Sequence, residues 1–124
     1  MEEDDLQRLV DRFYAKVRED AFIGPLFNRA VASWPEHLHK LGAFWSSVMR
    51  TSGRYKGSPM AAHLNHAAAM EPAMFDRWLE LWRETAREEL VPDHAEAIVA
   101  KAERIAESLK LALWFRLDRP RCAD

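Results

Sequence analysis

Apolar residues recur at helical intervals along almost the whole chain, and nowhere does a run of β-branched residues alternate with polar ones. That period suits helices that each bury one stripe and rules out half-buried strands, so the expected fold class is all-α. Leu6, Leu9, Val10, Phe13 and Val17 form the first stripe, which ends near Arg18-Glu19-Asp20; Tyr14 shares its buried side. Phe22 to Phe27, with Gly24-Pro25 inside it, reads as a tight apolar corner. A second helix is announced by Ser33-Trp34-Pro35-Glu36: Ser33 as cap, Glu36 completing a capping box and Pro35 in the first turn. Trp34, His37, Leu38, Leu41, Phe44, Trp45 and Val48 then fall on one face, and Thr51-Ser52-Gly53 stops the helix.

Further along, Ser58-Pro59 reads as the cap and first residue of a short helix holding Met60 to His63. Leu64 to Glu71 is a connection that Ala67-Ala68-Ala69-Met70 could continue helically. Two long helices follow. One begins near Pro72 and places Phe75, Trp78, Leu79, Trp82, Ala86 and Leu90 inward; the other begins near Pro92 and does the same for Ile98, Ala102, Ile105, Leu109 and Leu113.

A chain of 124 residues accommodates one core, expected over 1–117, with 118–124 as a frayed tail. Its 18 basic residues are scattered among 20 acidic ones for a net charge of −2, so the basic stripe of a nucleic-acid binder is missing. No apolar run approaches membrane-spanning length, and the opening Met1-Glu2-Glu3-Asp4-Asp5 is the opposite of a secretion signal. Cys122 is the single cysteine, which excludes an intramolecular disulfide or a cysteine-based metal site. These features point to a cytoplasmic protein without nucleic-acid or membrane partners.

With no usable thiols, the five histidines are the strong candidate ligands for a transition metal or haem. His39 and His94 are expected to be solvated. His37 lies on the apolar face with Trp34 and Leu41 and should point inward. His63 closes a very short helix ahead of loosely patterned chain, and on residue pattern alone it ties with His66. A non-haem site using both would need carboxylates such as Glu71 or Asp76 to converge on them. Five Trp and six Phe are a heavy aromatic load, most simply read as core packing. Tyr14 and Trp78 add polar handles to inner faces, and a buried hydroxyl or indole N–H needs a partner. There is no glycine-rich phosphate loop, nucleophile elbow or His-Glu-x-x-His signature.

Three blocks of this sequence resemble the group III truncated haemoglobins of bacteria, over about Leu6 to Leu109. They are Phe13-Tyr14 continuing to Gly24-Pro25-Leu26-Phe27; Trp34-Pro35-Glu36-His37 running into Phe44-Trp45-Ser46-Ser47; and Tyr55-x-Gly57-x-Pro59-x-x-x-His63, followed by Phe75-Asp76-Arg77-Trp78-Leu79. The resemblance implies a truncated globin-like helical sandwich around one haem b, with His63 as the proximal iron ligand. It also implies that Phe27 packs on the porphyrin, Leu41 closes the pocket, Phe44 and Trp45 pack around the haem, and Lys40 pairs with a propionate. Tyr55, which opens the third block, joins the cofactor-binding set. Tyr14, His37 and Trp78 match the ligand-lining positions. The connection His63-Leu64-Asn65-His66-Ala67-Ala68-Ala69 departs from the pattern by one extra residue and introduces His66 as a competing ligand.

The function implied by this likeness is binding of diatomic gases (O2, NO and CO), in oxygen transport or in oxidation of NO to nitrate. Turnover would draw on a separate electron donor, because the chain carries no flavin or nicotinamide motif. Two alternatives stand beside it: a peroxide-reactive haem enzyme with His37 as acid/base, and a gas sensor that signals to a partner.

Overall fold

The computed structural model describes residues 1–58, 63 and 66–114. Its helices are α1 (Glu3–Glu19), α2 (Gly24–Ala30), α3 (Trp34–Arg50), α4 (Pro72–Glu89) and α5 (Pro92–Trp114), with a 3-10 turn at Ala67–Ala69. No strand occurs among the described residues, so the all-α expectation holds. The expected short helix at Met60 to His63 and the tail at 118–124 lie largely or wholly outside them, as does Cys122.

Helix α1 is the centre of the packing, touching α2, α3 and α4, while α4 and α5 form a pair joined by Leu90-Val91. Its stripe is the one expected: Leu6, Leu9, Val10, Phe13 and Val17 are buried, with Tyr14 beside them. The acidic Glu3, Asp4 and Asp5 sit at its positive end, and the Glu2 N–H donates to Asp5 Oδ2 at 2.9 Å. Against α3 it comes very close. A Cβ on Gly42 would fall 2.0 Å from Gln7 Oε1, and Gln7 Nε2 donates to the Leu38 carbonyl at 3.1 Å. Ser46, also on this face, is fully buried and bonds Glu3 Oε2 and Ser52 Oγ, each at 2.6 Å.

Two local expectations need correction. Ser33 is the N-cap of α3 in extended conformation, but its hydroxyl makes no cap hydrogen bond; its carbonyl accepts from the His37 N–H at 3.0 Å. Pro35, in the first turn, has no N–H, so one of the two donors that a capping hydroxyl serves is missing. The apolar corner contains a helix of its own, α2. Asp20 organises it: its carboxylate accepts from the N–H groups of Phe22 and Ile23, each at 3.0 Å, and pairs with Arg77 of α4 at 2.8 Å. Burial alone would raise the Asp20 carboxyl, but the Ile23 N–H, the Arg77 guanidinium and the Phe22 N–H outweigh it and hold its pKa below the ordinary value. Gly24 is required where α2 meets α1, since a Cβ there would lie 2.9 Å from the carbonyl oxygens of Val17 and Arg18.

On α4 and α5 the inner faces follow the periodicity. Phe75, Leu79, Trp82, Ala86, Ile98, Ala102 and Leu109 are buried, whereas Trp78, Leu90, Ile105 and Leu113 are half-buried. Trp82 fills the centre, stacked on Trp45 with ring centroids 4.6 Å apart and on Trp78 at 5.7 Å, with Phe13 edge-on at 4.8 Å. Among the described residues no helix is long and apolar enough to cross a membrane.

Candidate functional site

The helices leave between them a cavity of about 250 Å³, whose wall draws on each of the helices α1 to α5. Helix α1 contributes Tyr14, placed there by the same stripe that buries Val10 and Phe13. From α2 comes Phe27, held by the Asp20-anchored corner. The α3 face supplies His37, Lys40, Leu41, Phe44 and Trp45, and α4 supplies Trp78. The segment between α3 and α4 adds Tyr55 and His63. All ten residues nominated from the sequence therefore line one cavity.

Polar groups on that wall are few. Trp78 hydrogen-bonds the Tyr14 hydroxyl, with the indole N–H as donor. Burial pushes the Tyr14 phenol up to about 12, against the lowering effect of that bond, so Tyr14 stays a protonated donor over the physiological range. His37 packs edge-on against Tyr14, with ring centroids 5.8 Å apart, and its buried Nε2 has no hydrogen-bond partner. Desolvation, with the nearby Lys40 ammonium, holds the His37 imidazole below its ordinary pKa and therefore neutral near pH 7. Tyr55 is anchored by its N–H to Ser47 Oγ at 2.9 Å and by its ring against Phe44, and burial raises its phenol. Lys40 lines the cavity yet is exposed, which sets it on the solvent side.

The histidines separate. His63 is half-buried on the cavity wall, its ring stacked on Phe75 at 6.0 Å, whereas His66 is exposed and absent from that wall. His39 is exposed as expected; His94 is half-buried rather than solvated. Glu71 and Asp76 are exposed, Asp76 faces Lys110 at 3.4 Å, and among the described residues no three His, Cys, Asp or Glu side chains gather to hold a metal ion. The non-haem alternative thus finds no carboxylates converging on the histidines there.

Periodicity did not single out Met70 and Met74, which also line the cavity. Their signal was weak: Met70 follows an alanine run, and Met74 falls one position from the Phe75 stripe. Ile23, Leu26, Phe75, Ile105, Ala106 and Leu109 complete the wall, four of them already read as inward-facing or as part of the matching blocks.

Over 116 residues, covering 90% of this chain and 91% of the relative, the sequence is 30% identical to the group 3 truncated haemoglobin Ctb of Campylobacter jejuni. The chain belongs to the group III truncated haemoglobins. Its fold agrees: the crystal structure of a group III truncated haemoglobin from Campylobacter jejuni matches it with a TM-score of 0.85 over 96% of each chain, at 28% identity. No protein-family model matches the chain. This truncated haemoglobin is accordingly a globin-type haem protein. The residues present fit that group. The wall is largely apolar, as a porphyrin needs, carries two imidazoles in His63 and His37, the latter with its buried Nε2 unpaired, and offers a cation in Lys40 toward solvent.

Proposed function

We propose that this truncated haemoglobin holds haem b in the cavity with His63 as the protein ligand to iron, and that the pocket binds O2, NO and CO. The observation that carries the reading is the separation of the two candidate histidines: His63 is on the cavity wall with all the other nominated residues, and His66 is exposed outside it. When bound, the haem supplies an iron centre that takes a diatomic ligand and transfers electrons to it.

The chain's own residues do the rest. Phe27, Phe44, Trp45 and Leu41 exclude water and clasp the macrocycle, and Lys40 and Tyr55 hold its acidic groups at the solvent side. Tyr14 presents its O–H to a small ligand, and the Trp78 N–H, donated to the Tyr14 oxygen, fixes that hydroxyl in advance. A pre-set donor stabilises negative charge on a ligand without having to reorganise, which slows its release. His37, neutral and with Nε2 unpaired, adds a group that can accept or donate a proton at that nitrogen. In this reading NO oxidation to nitrate is the catalytic use of the pocket, with electrons from a separate donor. A reducing cytoplasmic setting goes with it and with the single cysteine.

The test is stopped-flow O2 dissociation from the ferrous protein. Tyr14→Phe removes the donor and should speed release by roughly tenfold, the equivalent of one hydrogen bond of about 1.4 kcal/mol, while Trp78→Phe, which leaves the hydroxyl free to turn, should speed it less. Unchanged release in both variants would exclude Tyr14 as the ligand donor and Trp78 as its support. The peroxide-reactive alternative is favoured by the unpaired His37 Nε2; it predicts that His37→Ala slows reaction with peroxide more than it alters O2 release.

A further inference from the structure

Four of the five tryptophans are in ring contact with one another or with Tyr14, and gas binding uses only one of them. Trp45 and Trp82 stack at 4.6 Å with their planes 21° apart; Trp82 and Trp78 stack at 5.7 Å and 3°. Trp78 hydrogen-bonds Tyr14, and the Tyr14 ring lies 6.0 Å from that of Trp34. Trp34 is half-buried in the first turn of α3, between the exposed residues Ser33 and Pro35, with the Arg18 guanidinium carbon 4.6 Å over its ring. The set starts at the cavity, where Trp45, Trp78 and Tyr14 form part of the wall, and ends near solvent.

Indole and phenol are the side chains most easily oxidised by one electron after the thiols, and electron tunnelling falls off exponentially with the gap between rings. Rings in contact therefore form a path. Stacking lowers the cost of removing an electron from Trp45 and Trp82, because the positive charge spreads over two π systems. Trp82 Nε1 is fully buried without an acceptor, so an electron vacancy there keeps its proton and moves on rather than being trapped as a neutral radical. Tyr14 oxidises only as its O–H proton leaves, and it lines the cavity, from which that proton is taken up and returned. At Trp34 the Arg18 cation disfavours a positive ring, so the indole gives up its N–H proton to water along with the electron.

We propose that Trp45, Trp82, Trp78, Tyr14 and Trp34 form an electron relay joining the cavity to an oxidisable terminus at Trp34, where small phenol or enediol reductants deliver electrons. This rests on the haem reading above. The step balances with hydrogen peroxide as oxidant: peroxide takes two electrons and two protons and becomes two waters. One electron comes from the haem and one along the relay from Trp34, whose indole proton goes to solvent and is one of the two consumed; the second proton comes from solvent. One reductant equivalent then returns an electron and a proton to Trp34, and a second, by the same route, returns the electron lost by the haem and the proton drawn from solvent.

The experiment treats the haem-loaded protein with hydrogen peroxide and a spin trap, then maps adducts by peptide mass spectrometry and reads the radical by freeze-quench EPR, normalised to peroxide consumed. Wild type should carry its adduct mainly on Trp34, and ascorbate should abolish it. In Trp34→Phe the radical should stop one link earlier with a tyrosyl signature at Tyr14. In Tyr14→Phe the Trp34 adduct should fall several-fold, with oxidation products appearing on Trp45, Trp82 or Trp78. Adducts spread over Trp114 and exposed methionines in proportion to exposure, or a Trp34 adduct untouched by Tyr14→Phe, would overturn the relay. The Soret band is recorded first: loss of haem uptake defeats the haem reading and the relay together, while normal uptake with scattered adducts defeats the relay alone.

Discussion

Helices α1 and α3 meet in two different ways along their length. Around Gly42 they touch so closely that Gln7 occupies the space of a Cβ, and the polar groups of this contact are satisfied: Gln7 on the Leu38 carbonyl and on Asp11, Ser46 on Glu3 and Ser52, Arg50 on the Met1 carbonyl, and Arg54 on Glu3. Toward the cavity the same helices present Tyr14 and His37, whose rings meet edge-on with centroids 5.8 Å apart and leave a buried imidazole nitrogen unpaired. Small residues close one end and aromatic ones line the other. The lesson concerns where to look for function. Trp82 Nε1 is also unpaired, but it is packed between three rings with no space beside it. An unpaired polar atom becomes a site only where there is room for a ligand.

That contrast breaks most easily in the packed region. Trp82→Ala should cost about 3–5 kcal/mol in urea unfolding, because a fully buried ring is replaced by a void between Trp45, Trp78 and Phe13. A smaller loss would mean that the surrounding rings collapse freely and that the centre is less rigidly packed than described. Next come the glycines. Gly24→Ala forces a methyl against two backbone carbonyls and should cost about 2–3 kcal/mol, whereas at Gly42 the obstruction is the end of a flexible side chain, so Gly42→Ala should cost about 1 kcal/mol. Equal costs would contradict the difference between backbone and side-chain obstruction.

Asp20 links the two regions, since it closes the corner that carries Phe27 toward the cavity. Asp20→Asn should lower stability by about 2 kcal/mol near neutral pH, the scale of hydrogen bonds to a charged group. Its pKa is depressed in the folded protein, so the stabilisation is complete above the unfolded value of about 3.9 and is lost as pH falls through the folded pKa. The difference between wild type and Asp20→Asn in unfolding free energy should therefore shrink on acidification; a difference that stays constant would show that the charge plays no part. The smallest effect is expected on the cavity side. Tyr14→Phe removes a hydroxyl that faces open space on one side, and should change unfolding free energy by about 1 kcal/mol or less.

Much of this was legible in the chain. Periodicity located α1, α3, α4 and α5 and the buried faces of α1, α4 and α5, because a stripe such as Leu6, Leu9, Val10, Phe13 and Val17 has one way to be buried; on α3 it picked out Trp45 but not Gly42, Ala43 and Ser46, which are buried while Trp34, His37, Leu38, Leu41, Phe44 and Val48 are half-buried. The motif resemblance then named ten residues that the fold brings to a single cavity. Helix α2 was missed as a helix because it is seven residues long and is held by Asp20 from outside its own sequence. The choice between His63 and His66 is equally invisible to periodicity. Three residues apart, they differ in which one the fold turns toward the cavity. Met70 and Met74 stayed hidden for a related reason, since a methionine beside a stripe reads as filler until the space it faces is known.

The role of His63 is the claim on which the rest depends, and absorption spectroscopy of the haem-reconstituted ferric, ferrous and CO-bound protein tests it directly. Wild type and His66→Gly should give the same globin-like Soret band at one haem per chain, while His63→Gly should lose or shift it and regain it with added imidazole. A normal spectrum in His63→Gly, with the loss falling instead on His66→Gly, would contradict the account.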